Sequence, residues 1–142
     1  MEFIVKEFNE LTVNELYEIL KSREEIFLLE QNIVCQDIDD TDKRSLHCFL
    51  YDGERVASYL RAYESGEGVC IGRVLSLTHK NGLGRELMIK SMEEIKKHFK
   101  CDKIFAHAQK QAEEFYKKLG FETISDEYLE EGVVHITMMK NI

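Results

Sequence analysis

THKNGLGRELM, running from Thr78 to Met88, sets Gly82 and Gly84 one residue apart at the entrance of an amphipathic helix. The first turn of a helix carries unpaired N–H groups and the positive end of the macrodipole, and glycines there clear side chains from an approaching anion's path. The stretch therefore points to a phosphate belonging to a nucleotide or coenzyme, although glycines ahead of helices also serve ordinary turns. Downstream, Leu83, Leu87, Ile89, Met92, Ile95 and Phe99 supply the apolar face of the helix. Lys96, Lys97, His98 and Lys100 complement the dipole at its far end.

Upstream of the glycines, HCFLYD, RVASYLRAYE and VCIGRVLSL read as three strands of an antiparallel meander. The turns between them are Asp52-Gly53 and SGEG. Further back, EFIVKEF reads as a strand, and Thr12 with Glu15 has capping-box spacing. Leu16, Ile19, Leu20, Arg23 and Phe27 follow at helical spacing, predicting a helix from Val13 toward Leu29. Past the glycine helix come the strand KIFAHA and the helix QAEEFYKKL, which Gly120 ends. FETISDEYL and VVHITMMK then form a hairpin around Glu131-Gly132. The order is β-α-βββ-α-β-α-ββ.

The 142 residues, 44% hydrophobic and 32% charged, have the balance of one globular domain spanning 1–142. No apolar run approaches membrane-spanning length, and EFIVKEF is unlike a secretion signal. The expected location is the cytoplasm, with no membrane partner. A net charge of -8 argues against tracking a nucleic-acid backbone and suits a cationic acceptor. Cys35, Cys48, Cys70 and Cys101 lack metal-binding spacing and read as reduced thiols, mostly buried in strands. Asp37, Asp39 and Asp42 invite a calcium reading, but the glycine and glutamate of an EF-hand loop are missing; an ordered acidic loop is expected, with no metal.

The element order, the glycine pair and FYKKLGF together resemble the GNAT superfamily of N-acetyltransferases over nearly the whole chain. HKNGLGRELM is similar to that family's Q/R-x-x-G-x-G/A pyrophosphate loop, with Gly82 and Gly84 in the glycine positions. His79 stands where Gln or Arg is usual and Lys80 where a glycine often follows, so Lys80 or Arg85 would supply the positive charge. AQKQAEEFYKKLGF, from Ala108 to Phe121, is the more specific motif. REEIFLLEQ, the acidic DIDDTD, His47, AHAQ and VVHITMM look like the ElaA-like branch, whose members share an EQ pair, here Glu30 and Gln31. The resemblance implies an α+β fold with αβα layers. Its central sheet would be mixed, mostly antiparallel and splayed at the acyl-CoA site.

It also implies an acetyl-CoA-dependent N-acetyltransferase acting on a small-molecule or peptide primary amine by direct transfer in a ternary complex. The chain would be a monomer or homodimer. The alternative is a non-catalytic module that binds or senses an acyl-CoA. Backbone N–H groups around Asn81, Gly82, Leu83, Gly84, Arg85 and Glu86 would surround the pyrophosphate. The strand edge at Val74, Leu75 and Ser76 would bond the pantetheine amides, and an N–H near Leu75 would receive the oxyanion. Tyr116, in the FY of the family motif, would protonate the departing sulfur. His107 would take the amine's proton, with Glu30 as another candidate and His135 and Glu131, read as exposed strand positions, behind them. Gln109 would turn to the coenzyme arm or fix the strand-to-helix turn. On the acceptor side stand Gln31, His135 and Arg73, which would orient an anionic group or pair with an acid of the Asp37–Asp42 loop.

Overall fold

The computed structural model describes residues 1–78 and 82–142. Its elements are β1 (Glu2–Glu7), α1 (Val13–Arg23), β2 (Leu46–Tyr51), β3 (Val56–Glu64), β4 (Val69–Ser76), α2 (Leu83–Phe99), β5 (Lys103–Gln109), α3 (Glu113–Lys118), β6 (Glu122–Thr123), β7 (Tyr128–Glu130) and β8 (Val133–Asn141). The strands form one sheet in the order β1-β2-β3-β4-β5-β8-β6, with β7 also paired to β8. Every pairing is antiparallel except that of β4 with β5, which α2 connects as a crossover. This is the mixed, mostly antiparallel sheet expected from the sequence.

Alternation along the strands sends apolar side chains to both faces. Leu60, Ala62, Ile71, Ile104 and Ala106 pack with Leu87, Met88 and Ile95 of α2 and with Tyr116 and Leu119 at α3. On the opposite face Phe49, Tyr59 and Leu75 pack with Ile19 of α1 and with Ile26. Helices thus cover both faces of the sheet, giving the αβα layering. The capping box forms as read: Thr12 Oγ1 accepts from the Glu15 N–H at 3.0 Å and Glu15 Oε1 accepts from the Thr12 N–H at 2.8 Å. Ile89, expected on the apolar stripe of α2, is exposed instead; Met88 and Ser91 take the buried positions beside Leu87 and Ile95.

Two elements depart from the expected pattern. The first helix is α-helical only to Arg23, and Glu24–Glu30 continue it as a π-helix. Its closing bond runs from the Gln31 N–H to the Ile26 carbonyl at 3.0 Å, one residue wider than an α-turn. The widened turn keeps Ile26 in the core while Phe27 and Gln31 face a cleft. FETISDEYL is likewise not one strand. The pairs Thr123↔Met138 and Tyr128↔His135 leave two more residues on the first strand than on β8, so it breaks into β6 and β7. Ser125 bridges the break by accepting the Thr137 N–H on its hydroxyl at 2.8 Å.

The cysteines also divide differently. Cys48 and Cys70 are buried in strands, whereas Cys35 is exposed and Cys101 only half-buried, both outside strands. Among the described residues no helix is long and apolar enough to cross a membrane.

Candidate active site

β4 and β5 pair only from Val69↔Ile104 to Ile71↔Ala106, after which they part. The cause lies on the other edge of β4. Between the pairs Arg61↔Gly72 and Tyr59↔Leu75, β4 uses three steps where β3 uses two. Arg73 absorbs the extra residue by taking φ 52 in the left-handed region. Such a bulge bends its strand, here away from β5, and re-aims the residues that follow. The Leu77 N–H donates to the Ala57 carbonyl on β3 at 2.8 Å. By alternation Leu75 also faces β3, while the amides of Val74 and Ser76 face the opening. Near the position where the sequence placed an oxyanion donor, the amide turned to the opening is therefore that of Val74 and not of Leu75.

A cleft of about 290 Å³ occupies the parting. Among its lining residues are Gln31, Arg73, Val74, His107, Gln109, Tyr116, Glu131 and His135, eight of the residues singled out from the sequence. Its size suits a small molecule or the tip of a longer one. Glu30 is exposed at the end of the π-helical turn and is not among the lining residues. Its neighbour Gln31 faces the cleft instead. Gln31 Oε1 accepts from Gln109 Nε2 at 2.8 Å, and Gln109 Oε1 from Gln111 Nε2 at 2.7 Å. Gln109 thus braces the strand-to-helix turn against the π-helical end.

α2 begins beside the parting strands. Gly82 caps it with φ 67, a conformation that disfavours any Cβ, and among the described residues nothing lies within 4 Å of where that Cβ would be. A Cβ on Gly84 would come 3.5 Å from Phe115 Cζ and 3.7 Å from Ser76 Oγ. Helix entrance, β4 end and α3 therefore meet around Gly84. Leu83, Arg85 and Glu86 form the first turn of α2, with Arg85 and Glu86 exposed. His79, Lys80 and Asn81 lie outside the described residues.

Tyr116 is only 5% exposed, its ring edge-on to Phe115 and Phe121. Burial pushes its phenol above the ordinary value, so it stays protonated at neutral pH. Among the described residues its hydroxyl has no hydrogen-bond partner, while the side chain lines the cleft.

The outer wall of the cleft is an acidic loop held by arginines. Arg23, fully buried, reaches Asp37 Oδ2 at 2.9 Å through Nε, Asp42 Oδ1 at 2.7 Å through Nη1 and the Asp37 carbonyl at 2.7 Å through Nη2. Arg61 bonds Asp39 Oδ1 at 2.6 Å and Asp42 Oδ1 at 2.9 Å through Nη1. Arg73 Nε stands 2.8 Å from Asp37 Oδ1, though off its N–H direction, and its Nη2 bonds the Asp37 carbonyl at 3.0 Å. Of the two roles open to Arg73, pairing with the acidic loop is the one its contacts display. His47 extends the network: Nε2–H donates to the Asp42 carbonyl at 2.9 Å and Nδ1 accepts from the Tyr59 hydroxyl at 2.7 Å.

These groups give a pH signature. Burial lowers the His47 pKa, so unfolding admits a proton that the folded imidazole refuses. Its stabilising contribution is whole above the unfolded value of ~6.5 and declines as pH falls below it. The Arg61 guanidinium, bonded to Asp39, holds that carboxyl below its usual range, a second contribution that is lost as pH falls below ~3.9. Thermal melts should therefore show a falling Tm between pH 7 and 5 that flattens in His47→Gln. An identical slope in that variant would remove His47 as the cause.

His135 was expected on an exposed strand position, yet it is only 7% exposed. Its ring stacks on Tyr128, its cross-strand partner, with centroids 6.1 Å apart. Pairing with β7 thus covers a side chain that β8 alone would leave open. His107 is exposed, with Nδ1 2.9 Å from the Tyr128 hydroxyl and 3.3 Å from Thr137 Oγ1.

A family model for an acetyltransferase (GNAT) domain matches residues 8–142. A UPF0039 protein of Schizosaccharomyces pombe is 36% identical over 97% of this chain and 95% of its own length. Protein ElaA of Escherichia coli is 32% identical over 94% of this chain and 92% of its own. The crystal structure of Escherichia coli ElaA superposes with a TM-score of 0.92 at 30% identity, covering 99% of both chains. An acyl-CoA N-acyltransferase from Pseudomonas aeruginosa gives a TM-score of 0.92 at 28% identity over 99% of both. The parted strands, the glycine-capped helix and the buried tyrosine thus belong to a chain of the GNAT acetyltransferase family, ElaA-like in sequence and fold.

Proposed function

We propose that this protein is an acetyl-CoA-dependent N-acetyltransferase, working in the cytoplasm on a small-molecule or peptide primary amine by direct transfer in a ternary complex. The observation that carries the reading is the parting of β4 and β5 beside the glycine-capped start of α2, with the Tyr116 side chain lining the opening.

Coenzyme A fits what is present. The space that the described residues leave open at Gly82 and the N–H groups at the first turn of α2 suit a pyrophosphate. Val74 and Ser76 offer amide groups that pantetheine can meet as an added strand. The Val74 N–H would receive the oxyanion as nitrogen attacks the thioester carbon. A free thiol has a pKa near ~8.5, so a protonated phenol beside the departing sulfur lowers the cost of releasing it. The acceptor would enter from the cleft face, where a lysine-like amine with a pKa near ~10.4 must first lose a proton.

Calorimetric titration with acetyl-CoA, with ATP as the comparison ligand, tests the donor. Stoichiometric binding selective for the acyl coenzyme is expected. Gly84→Val, which puts bulk between Phe115 and Ser76 at the helix entrance, should weaken it about tenfold or more, a loss of ~1.4 kcal/mol. Absence of binding to the parent protein would sink the reading. Binding without multiple turnover on any amine would instead favour an acyl-CoA-sensing module.

A further inference from the structure

We infer that His135 is the base that deprotonates the acceptor amine and that Glu130 carries the proton on to solvent, an assignment that rests on the transferase reading above. The β7–β8 hairpin builds the pair. Its two-residue loop, Glu131-Gly132, has φ 50 and φ 75, both positive as in a type I′ turn. That tight turn sets Tyr128 opposite His135 and Glu130 opposite Val133, so Tyr128, Glu130 and His135 share one face.

A carbonyl can only accept, so His135 Nδ1, 2.8 Å from the Val133 oxygen, must carry the hydrogen. The basic lone pair of the neutral ring is then on Nε2, which stands 3.3 Å from Glu130 Oε2. Tyr128 stacks against the ring and so holds the imidazole on that side, while Gln109 is the residue opposite His135 on β5. Glu130 is half-exposed and joins this buried base to water. Besides the Cys35 thiol and the Tyr63 and Tyr116 phenols, the other charged or titratable groups lining the cleft are His107, Glu131, Asp37, Arg61 and Arg73. The last three are engaged with one another or with Asp39 and Asp42. His107 lacks the same definition: its Nδ1 meets two hydroxyls, which accept or donate, so nothing fixes its tautomer.

The protons balance. His135 Nε2 takes one from the ammonium and passes it through Glu130 to water. The freed amine forms the C–N bond, and collapse of the adduct breaks the C–S bond. Tyr116 gives its proton to the sulfur, and the second nitrogen proton restores the phenol. The products are the amide, the thiol and one released proton.

The test measures thiol release from acetyl-CoA with cadaverine, a lysine-bearing peptide and a peptide with a free N-terminus. At pH 7, His135→Gln should lower kcat about 100-fold or more while retaining acetyl-CoA binding. Because a neutral amine needs no base, its rate should climb about tenfold per pH unit below ~10.4 and approach the parent's. Glu130→Gln, a half-exposed change that spares the core, should make turnover proportional to the concentration of a small diffusible buffer base. That second variant decides the matter if His135→Gln does not fold. Turnover of His135→Gln within threefold of the parent, a pH-rescued loss in His107→Gln instead, or a buffer-independent Glu130→Gln would overturn the assignment while the transferase reading stands. No turnover by the parent protein on any of the three amines would overturn both.

Discussion

Alanine in place of Asp42 is expected to lower the unfolding free energy by about 3–5 kcal/mol, the usual effect of removing one partner from a buried ion pair. Asp42 Oδ1 accepts from both Arg23 and Arg61, two guanidinium groups almost wholly withdrawn from water. Without it, the acids left to them among the described residues are Asp37 for Arg23 and Asp39 for Arg61. Each is then a buried cation with part of its compensation gone. At this chain length the change corresponds to a Tm lower by roughly 10–20 °C. Asp42→Asn keeps a polar acceptor and should lose less. Thermal or urea unfolding of the two variants measures the difference, and a loss below about 1 kcal/mol in the alanine variant would mean that water or a neighbouring acid replaces the carboxylate. The functional consequence is positional. The loop from Gln31 to Asp42 contributes Gln31, Ile33, Cys35 and Asp37 to the cleft wall, and the arginines hold that wall in place.

Tyr116→Phe should act in the opposite sense, sparing the fold and harming the chemistry. The ring's contacts with Phe115 and Phe121 survive the change, and the lost hydroxyl has no hydrogen-bond partner among the described residues. Tm should therefore move little. If the phenol protonates the departing sulfur, kcat falls about 100-fold, within the usual range for a general acid. Acetyl-CoA affinity by calorimetry should stay within a few-fold of the parent's, because a donor needed only as sulfur departs contributes little to ground-state binding. An unchanged kcat would remove the acid assignment from Tyr116.

Several local signals were legible in the chain because they act over a few residues. Thr12 and Glu15 form their reciprocal cap, Gly82 and Gly120 take positive φ at helix boundaries, and Glu131-Gly132 makes the hairpin turn. Arg23 among the apolar positions of the first helix also carried information: its side chain is buried, and the acids that neutralise it were visible as DIDDTD. Which arginine meets which aspartate was not visible, since Asp42 reaches Arg23 and Arg61 across nineteen positions in each direction. His135 is a similar case. Alternation placed it on a face of its strand, but not the Tyr128 ring that covers that face.

By itself, then, the sequence determined the order of the elements, because that follows from periodicity, capping and turn chemistry that neighbouring residues set; the layered α+β fold was implied by the likeness of its motifs to the GNAT family. Tertiary structure alone decided that Val74 rather than Leu75 faces the opening, that Gln31 rather than Glu30 lines the cleft, and that His135 is enclosed beside Glu130. Each of these turns on an irregularity of one or two residues. A three-for-two bulge at Arg73, a π-turn after Arg23 and a two-residue excess opposite β8 shift which side chain points where. Such shifts are fixed by long-range pairing between strands and helices, and pairing partners are not written into any local stretch of the chain.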